Sequence, residues 1–224
     1  MSLRPPRDLY TYRGHKQTVA PAVEPVTASE LRALLRESET GLPDAEAADY
    51  IAEAREMVEE NTGLALINQT WLLAFDRWPG SSANDWWDGV IQGPINELQS
   101  CDGHVTLPRY PLSSVTGINV YDEASNATAV DVAATFDVDI YRKPGRIGLK
   151  SGKTWPIETR PTNGVEITYV AGYGATADDV PAALKRAVKQ AAAYLYTHRG
   201  DDCCDVDAVA SVAGMLNQYR VARI

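Results

Sequence analysis

The chain has 224 residues, 45% of them apolar and 23% charged, and a net charge of −9. That is enough chain, in ordinary globular balance, to bury a self-sufficient core. The acidic balance excludes a protein that grips nucleic-acid backbones generally, because such binding needs a basic footprint; a like-charged wall can still surround DNA without holding it.

Residues 1–25 read as an N-terminal arm. Pro5, Pro6, Pro21 and Pro25 interrupt it, Arg4, Arg7, Arg13 and Lys16 make it basic, and few apolar positions repeat. Order there is expected only with a partner. Thr27-Ala28-Ser29-Glu30 is a capping-box pattern, a hydroxyl with an acid three residues on. Leu31, Leu34 and Leu35 follow at helical spacing, and this short helix is expected to end before Gly41-Leu42-Pro43. A second helix is expected from Asp44 to Thr62, with Tyr50, Ile51, Ala54, Met57 and Val58 as its apolar stripe and Leu64 near its end. Glu46, Glu53, Glu56, Glu59 and Glu60 fall mainly on other faces, and Gly63 stands where a C-terminal cap belongs. The two helices make a helical hairpin.

After Gly63 the apolar period falls to two. Thr70 to Arg77 reads as a strand with Trp71, Leu73 and Phe75 on one face. Residues 79–104 break the pattern with five glycines and serines between Gly80 and Gly93 and with Pro94. Excursions of that length are often interaction loops. Trp78, Trp86 and Trp87, beside Asn84, Asp85 and Asp88, point to a protein interface or a loop anchor; a sugar-binding platform is the alternative. Short strands then recur at Val105–Leu107, Val115–Tyr121, Thr128–Val132, Phe136–Tyr141, Arg146–Leu149 and Val165–Val170, which reads as an antiparallel sheet or small sandwich.

The clearest pattern runs from Val165 to Arg199. A strand (Val165, Ile167, Tyr169) leads through Ala171-Gly172-Tyr173-Gly174 and Asp178-Asp179-Val180-Pro181 into a helix with Leu184, Ala187, Val188, Ala191 and Leu195 at helical spacing. Gly200 to Asp205 is an acidic break. Beyond it Val209, Val212, Ala213 and Leu216 form a weak helical stripe, followed by Gln218-Tyr219-Arg220-Val221. A lone helix of that length is marginal in water and needs something to dock on. The fold class expected is α+β: a helical bundle (the N-terminal hairpin plus a long C-terminal helix) with an inserted antiparallel β-rich middle and extended terminal arms. The organisation expected is an arm at 1–25, a core at 26–200 (helices 27–63, β-rich 66–170, helix 181–199) and a C-terminal arm or helix at 201–224.

No constellation for chemistry emerges. Asp201, Asp202, Asp205 and Asp207 lack the ligand spacing and glycine of a calcium loop and read as a solvated linker. Cys101, Cys203 and Cys204 are odd in number, and the adjacent pair is ill suited to clasp one tetrahedral metal. They point to a reduced, intracellular compartment rather than a disulfide framework. His15, His104 and His198 have no nucleophile elbow beside them. Gly172-Tyr173-Gly174 lacks the phosphate-loop pattern and reads as a strand-to-helix turn. The N-terminus has no signal-peptide apolar core, and no run is long enough for a membrane span.

Several phrases, in order, resemble the head–tail connector (adaptor, or head completion) proteins of tailed bacteriophages. They are Pro25-Val26-Thr27; Ala54 to Gly63 followed by Leu66-Ile67-Asn68-Gln69-Thr70-Trp71; and Leu107-Pro108-Arg109-Tyr110-Pro111 with Leu112-Ser113-Ser114-Val115. Pro144-Gly145-Arg146-Ile147, Trp155-Pro156 and Val170 to Gly174 come next, and Leu216-Asn217-Gln218-Tyr219-Arg220-Val221 resembles the family's terminal phrase. The likeness covers about residues 25–222; the arm before Pro25 and the stretch 79–104 depart from a minimal member.

The resemblance implies a structural virion protein at the head–tail interface, assembled in the host cytoplasm. Such adaptors form a ring, a dodecamer, under the portal protein. They extend the DNA channel, which DNA traverses without sequence-specific binding, and they dock the next tail or stopper component. No enzyme activity, catalytic residue, metal, cofactor or membrane is implied. Heterologous contacts between neighbouring subunits would close the ring. Val209, Val212, Leu216, Tyr219 and Arg220 are the expected portal-binding residues, and Trp86 and Trp87 the expected inter-subunit or tail contact. Two alternatives stand beside this. One is a β-rich binding module, for carbohydrate or protein, that uses the tryptophan loop. The other is a small hydrolase uniting His104 or His198 with a serine and an acid.

Overall fold

The computed structural model describes residues 13–76, 78, 86–87, 90–91, 104–157, 160–199 and 204–220. The fold is α+β, as the hydrophobic periods require, and the chain divides into two units, each discontinuous in sequence. The helical unit comprises Ala20–Gln69, Pro108–Ser113 and the chain from Ala171 onward; the β unit comprises the chain up to Val19, Thr70–Leu107 and Ser114–Val170.

In the helical unit, α1 (Ala28–Leu35) opens on the capping box its sequence prescribes. Thr27 Oγ1 accepts from the Glu30 amide at 3.3 Å, and the Thr27 amide donates to Glu30 Oε2 at 3.0 Å. That backbone bond, ahead of the pairing with Lys189, holds the Glu30 carboxyl below its ordinary range. The second helix, α2 (Asp44–Thr62), stops where Gly63 takes φ 78° and returns its amide to the Glu59 carbonyl.

The C-terminal helices are numbered α4 (Ala182–Thr197) and α5 (Cys204–Leu216), because a short helix in the β unit precedes them. Pro181 fits the start of α4 because its missing N–H is not needed there. Leu31, Ile51, Val58, Leu184, Val188 and Leu195 form the core with Ala208, Val212 and Leu216 of α5. The segment 204–216, expected within a C-terminal arm or helix at 201–224, is a helix whose Ala208, Val212 and Leu216 lie in this core. A weak apolar stripe needs a surface to dock on, and α5 finds it on its own chain, against α2 and α4.

The β unit holds a five-stranded sheet in the order β1-β2-β10-β6-β7, a three-stranded sheet β5-β9-β8 and a two-stranded ribbon β3-β4. Its strands are β1 (Arg13–Val19), β2 (Gln69–Phe75), β3 (Trp86–Trp87), β4 (Val90–Ile91), β5 (His104–Thr106), β6 (Leu112–Tyr121), β7 (Ala127–Val130), β8 (Phe136–Asp139), β9 (Arg146–Leu149) and β10 (Val165–Ala171). A single-turn helix, α3 (Val132–Thr135), precedes β8. Val165, Ile167, Tyr169 and Ala171 are buried on alternate positions of β10, as period two demands.

The expected arm is corrected over Arg13–Val19, which pairs antiparallel with β2 from Arg13↔Phe75 to Val19↔Thr70. The strand buries the face of its partner: the His15 ring stacks on Trp71 with centroids 4.5 Å apart, and its Nε2 lies 2.8 Å from Tyr169 Oη. Trp78 is the loop anchor rather than part of an exposed platform. It is buried, stacked on Trp155 at 4.6 Å between centroids and packed against Phe75 and Phe136.

Candidate functional site

Four of the sequence phrases meet at one place in the helical unit, the C-terminal end of α2. A helix end leaves carbonyls without intrahelical donors and carries partial negative charge. The last turn of α2 holds no basic residue, so the compensation comes from far along the chain. Arg109 Nη1 donates to the Glu59 carbonyl at 2.8 Å and the Leu64 carbonyl at 3.3 Å, and its Nη2 pairs with Glu60. Tyr110 Oη donates to the Thr62 carbonyl and lies 3.2 Å from the Tyr219 carbonyl. Arg220 Nε donates to the Asn61 carbonyl at 3.2 Å and its Nη2 to Asn61 Oδ1 at 2.7 Å.

The glycine turn belongs to the same region. Gly172 N donates to the Pro111 carbonyl at 2.9 Å, Tyr173 N to the Leu66 carbonyl at 3.3 Å, and Asn68 N to the Gly174 carbonyl at 2.9 Å. Gly172 has φ 152°, and a Cβ there would lie 2.5 Å from Asn68 N and 2.6 Å from Ile67 C. Only glycine lets these backbones approach so closely. Tyr173 is half-buried, and burial pushes its hydroxyl up to about 12, helped by the neighbouring Tyr219 and Tyr110. It stays neutral and serves packing.

Beneath this end lies a buried polar knot. Glu59, expected on an outer face, is buried. Its Oε2 takes Arg55 Nη1 at 2.9 Å; its Oε1 takes the Leu66 amide at 2.8 Å and Gln69 Nε2 at 2.6 Å. Arg55 also reaches Glu24 at 2.9 Å and Glu56 at 3.3 Å. Burial pushes the Glu59 carboxyl up, against the pull of the Leu66 amide and Arg55. The i, i+4 spacing of Arg55 and Glu59 on an otherwise apolar stripe is the signal that could have found the pair.

The other sequence-predicted residues are placed as follows. Val212 and Leu216, expected at the portal contact, are 1% and 0% exposed and lie in the core of the helical unit. Tyr219 is half-buried and Arg220 exposed, both at the end of α2. The side chains of Val209, Asp205 and Asp207 lie outside the described residues, as do Asp201, Asp202 and Cys203. Trp86 and Trp87 form β3, paired as Trp86↔Ile91 and Trp87↔Val90, with side chains outside the described residues; so is most of 79–104.

His198 closes α4 through Nδ1, 2.9 Å from the Tyr194 carbonyl, and His104 lies in β5. Among the described residues no group of three His, Cys, Asp or Glu side chains is placed to hold a metal, and no helix is long and apolar enough to cross a membrane. A shallow groove of about 420 Å³ is lined by Leu34, Ala182, Lys185, Arg186, Lys189 and Gln190 and brings together no nucleophile and base.

The mixed α+β architecture, with antiparallel sheets and several helices, matches a general head–tail-connector-like fold. The chain is similar over 94% of its length, with 27% identity and a TM-score of 0.69, to a chain in the neck of an empty gene transfer agent particle treated with C6 symmetry, of which 97% is covered. It is similar at 26% identity and a TM-score of 0.64 to a chain in the neck of the native particle treated with C12 symmetry, with 94% and 97% covered. A chain of the native virion of that agent shares its fold at a TM-score of 0.71 and 24% identity, with 94% and 96% covered. No family profile matches the sequence, and neither does any curated protein.

Proposed function

We propose that the chain is a structural subunit of the head–tail neck of a phage-like particle. It acts as an adaptor that forms a ring under the portal, extends the DNA channel and docks the next tail or stopper component. The observation that carries this is the near-complete overlap, 94% of one chain and 97% of the other, with a chain of a gene transfer agent neck at 27% identity. The phrases shared with tailed-phage connectors support it independently, because four of them build one structural node rather than lying scattered. A twelvefold ring accords with the C12 treatment of the native neck. The role is non-catalytic: binding and shape do the work.

The portal contact expected at Val209, Val212, Leu216, Tyr219 and Arg220 takes a narrower form. Val212 and Leu216 stay in the core, and the contact falls to Tyr219, Arg220 and whatever follows them. Trp86 and Trp87, on a two-stranded ribbon, are kept as the contact to a neighbouring subunit or to the tail. Electron microscopy of the full chain mixed with portal-bearing, tail-less capsids tests the function. A ring at the portal vertex is expected. Capsids that stay bare at stoichiometric excess overturn it.

A further inference from the structure

The β8–β9 hairpin ends in an exposed tip whose backbone is braced by Asp139. Ile140, Tyr141, Arg142 and Lys143 are four consecutive exposed residues, with Tyr141 91% exposed and Ile140 43%. Asp139 braces them. Its Oδ1 accepts from the amides of Tyr141 at 3.1 Å and Arg142 at 3.3 Å, and its Oδ2 takes Arg146 Nε at 3.0 Å across the Asp139↔Arg146 pair. The bond from Arg146, ahead of those amides, holds the Asp139 carboxyl below its usual range. Backbone held by Asp139 at Tyr141 and Arg142 loses little freedom on docking. Tyrosine and arginine are also the residues that dominate interface energies.

The same chain carries a surface of opposite sign. Glu46, Asp49 and Glu53 are exposed on α2. At about 100° per residue they share one face, and Glu56 and Glu60 extend the row within roughly 80° of arc. Like charges at these spacings oppose helix formation. Arg55 and Arg109 pair with the two far members, Glu56 and Glu60. Arg55, the one basic residue of α2, is itself buried.

We infer that the tip of one copy docks on the acidic face of α2 in a second copy. Arg142 and Lys143 meet Glu46, Asp49 and Glu53, with Tyr141 as the apolar anchor. Charge complementarity selects this occupant: a basic tip on a chain of net charge −9 finds its match on that chain's own helix. The contact joins unlike surfaces, so it repeats head to tail and closes into a ring or runs on as a filament. It deepens the neck proposal by naming what joins neighbours, and it is tested without capsids so that either idea can fail alone.

The test is sedimentation velocity on the purified full chain up to high micromolar concentration. Wild type self-associates, and Tyr141→Ala weakens this about thirtyfold with unchanged thermal melting. Arg142→Glu/Lys143→Glu is monomeric alone, and so is Glu46→Lys/Asp49→Lys/Glu53→Lys. An equimolar mixture of the two reassembles, because each altered face meets its complement on the other variant. A wild type that stays monomeric overturns the inference, as does a mixture that stays monomeric while both variants melt as wild type. Loss of duplex-DNA binding by the tip variant with self-association intact makes nucleic acid the occupant and also overturns it.

Discussion

Replacing Glu59 by alanine tests whether the buried knot holds the helical unit together. The carboxylate accepts three hydrogen bonds, from Arg55 at 2.9 Å, the Leu66 amide at 2.8 Å and Gln69 at 2.6 Å. A buried donor left without an acceptor costs about 1–3 kcal/mol. Arg55 keeps Glu24, so it is only partly orphaned, while Leu66 N and Gln69 lose this carboxylate as acceptor. The expected loss is about 3–5 kcal/mol, the range for breaking one side of a buried pair. Glu59→Gln is expected to cost less, about 1–3 kcal/mol, because its amide NH2 faces the Arg55 donor in place of an acceptor. Its oxygen still accepts from Leu66 and Gln69, and losing the charge removes the desolvation that pushes this carboxyl up.

The assay separates the two units. All five tryptophans, Trp71, Trp78, Trp86, Trp87 and Trp155, belong to the β unit, whereas α1, α2, α4 and α5 belong to the helical one. Urea unfolding followed by far-ultraviolet circular dichroism therefore reports chiefly the helices, and tryptophan fluorescence reports the β unit. A loss below about 1 kcal/mol in the helical transition of Glu59→Ala refutes the reasoning, because three unmade bonds cannot be that cheap. Equal losses for alanine and glutamine also refute it, by showing that charge rather than hydrogen bonding decides. The pH dependence gives a further check. A folded pKa raised above the unfolded one contributes stability that is present below the unfolded value and lost as pH rises through the folded value. Glu59→Gln removes that slope.

Gly172→Ala forces a Cβ to within 2.5 Å of Asn68 backbone and is expected to destabilise by about 2–3 kcal/mol in urea unfolding. Leu216→Ala opens the core and is expected to cost about 2–5 kcal/mol by the same assay, whereas Arg220→Ala, at an exposed site, costs under about 1 kcal/mol. Trp86→Ala/Trp87→Ala is expected to leave the melting temperature unchanged and to reduce ring formation on portal-bearing capsids, counted in micrographs. Unchanged ring counts remove these residues from the contact.

The helices and most strands were legible because each buries one face, and burial imposes a period. Val165, Ile167 and Tyr169 are buried as their alternation requires, and the Thr27–Glu30 box closes as its spacing requires. What the sequence left open has no local signature. Arg13–Val19 reads as a basic arm because an edge strand with one covered face needs few apolar residues; its partner is β2, far along the chain. Leu216 looks like an anchor for another protein because its pocket is made by α2 and α4. The node at the end of α2 was visible as phrases but not as a place, since Arg109, Tyr110, Tyr173 and Arg220 meet only in three dimensions. Pairing ends at Asp139, two residues short of the expected strand's end, because nothing in Phe136–Tyr141 marks where it stops.

The placement of α5 also sets an order of events during synthesis. The helical core draws on side chains from Val26 to Leu216, whereas the β unit ends at Val170. Domains fold as units while the chain emerges. The β unit therefore has all its parts before α4 and α5 exist. The apolar faces of α1 and α2 wait uncovered through the whole of that interval. Until Leu216 arrives, this protein carries an unfinished bundle.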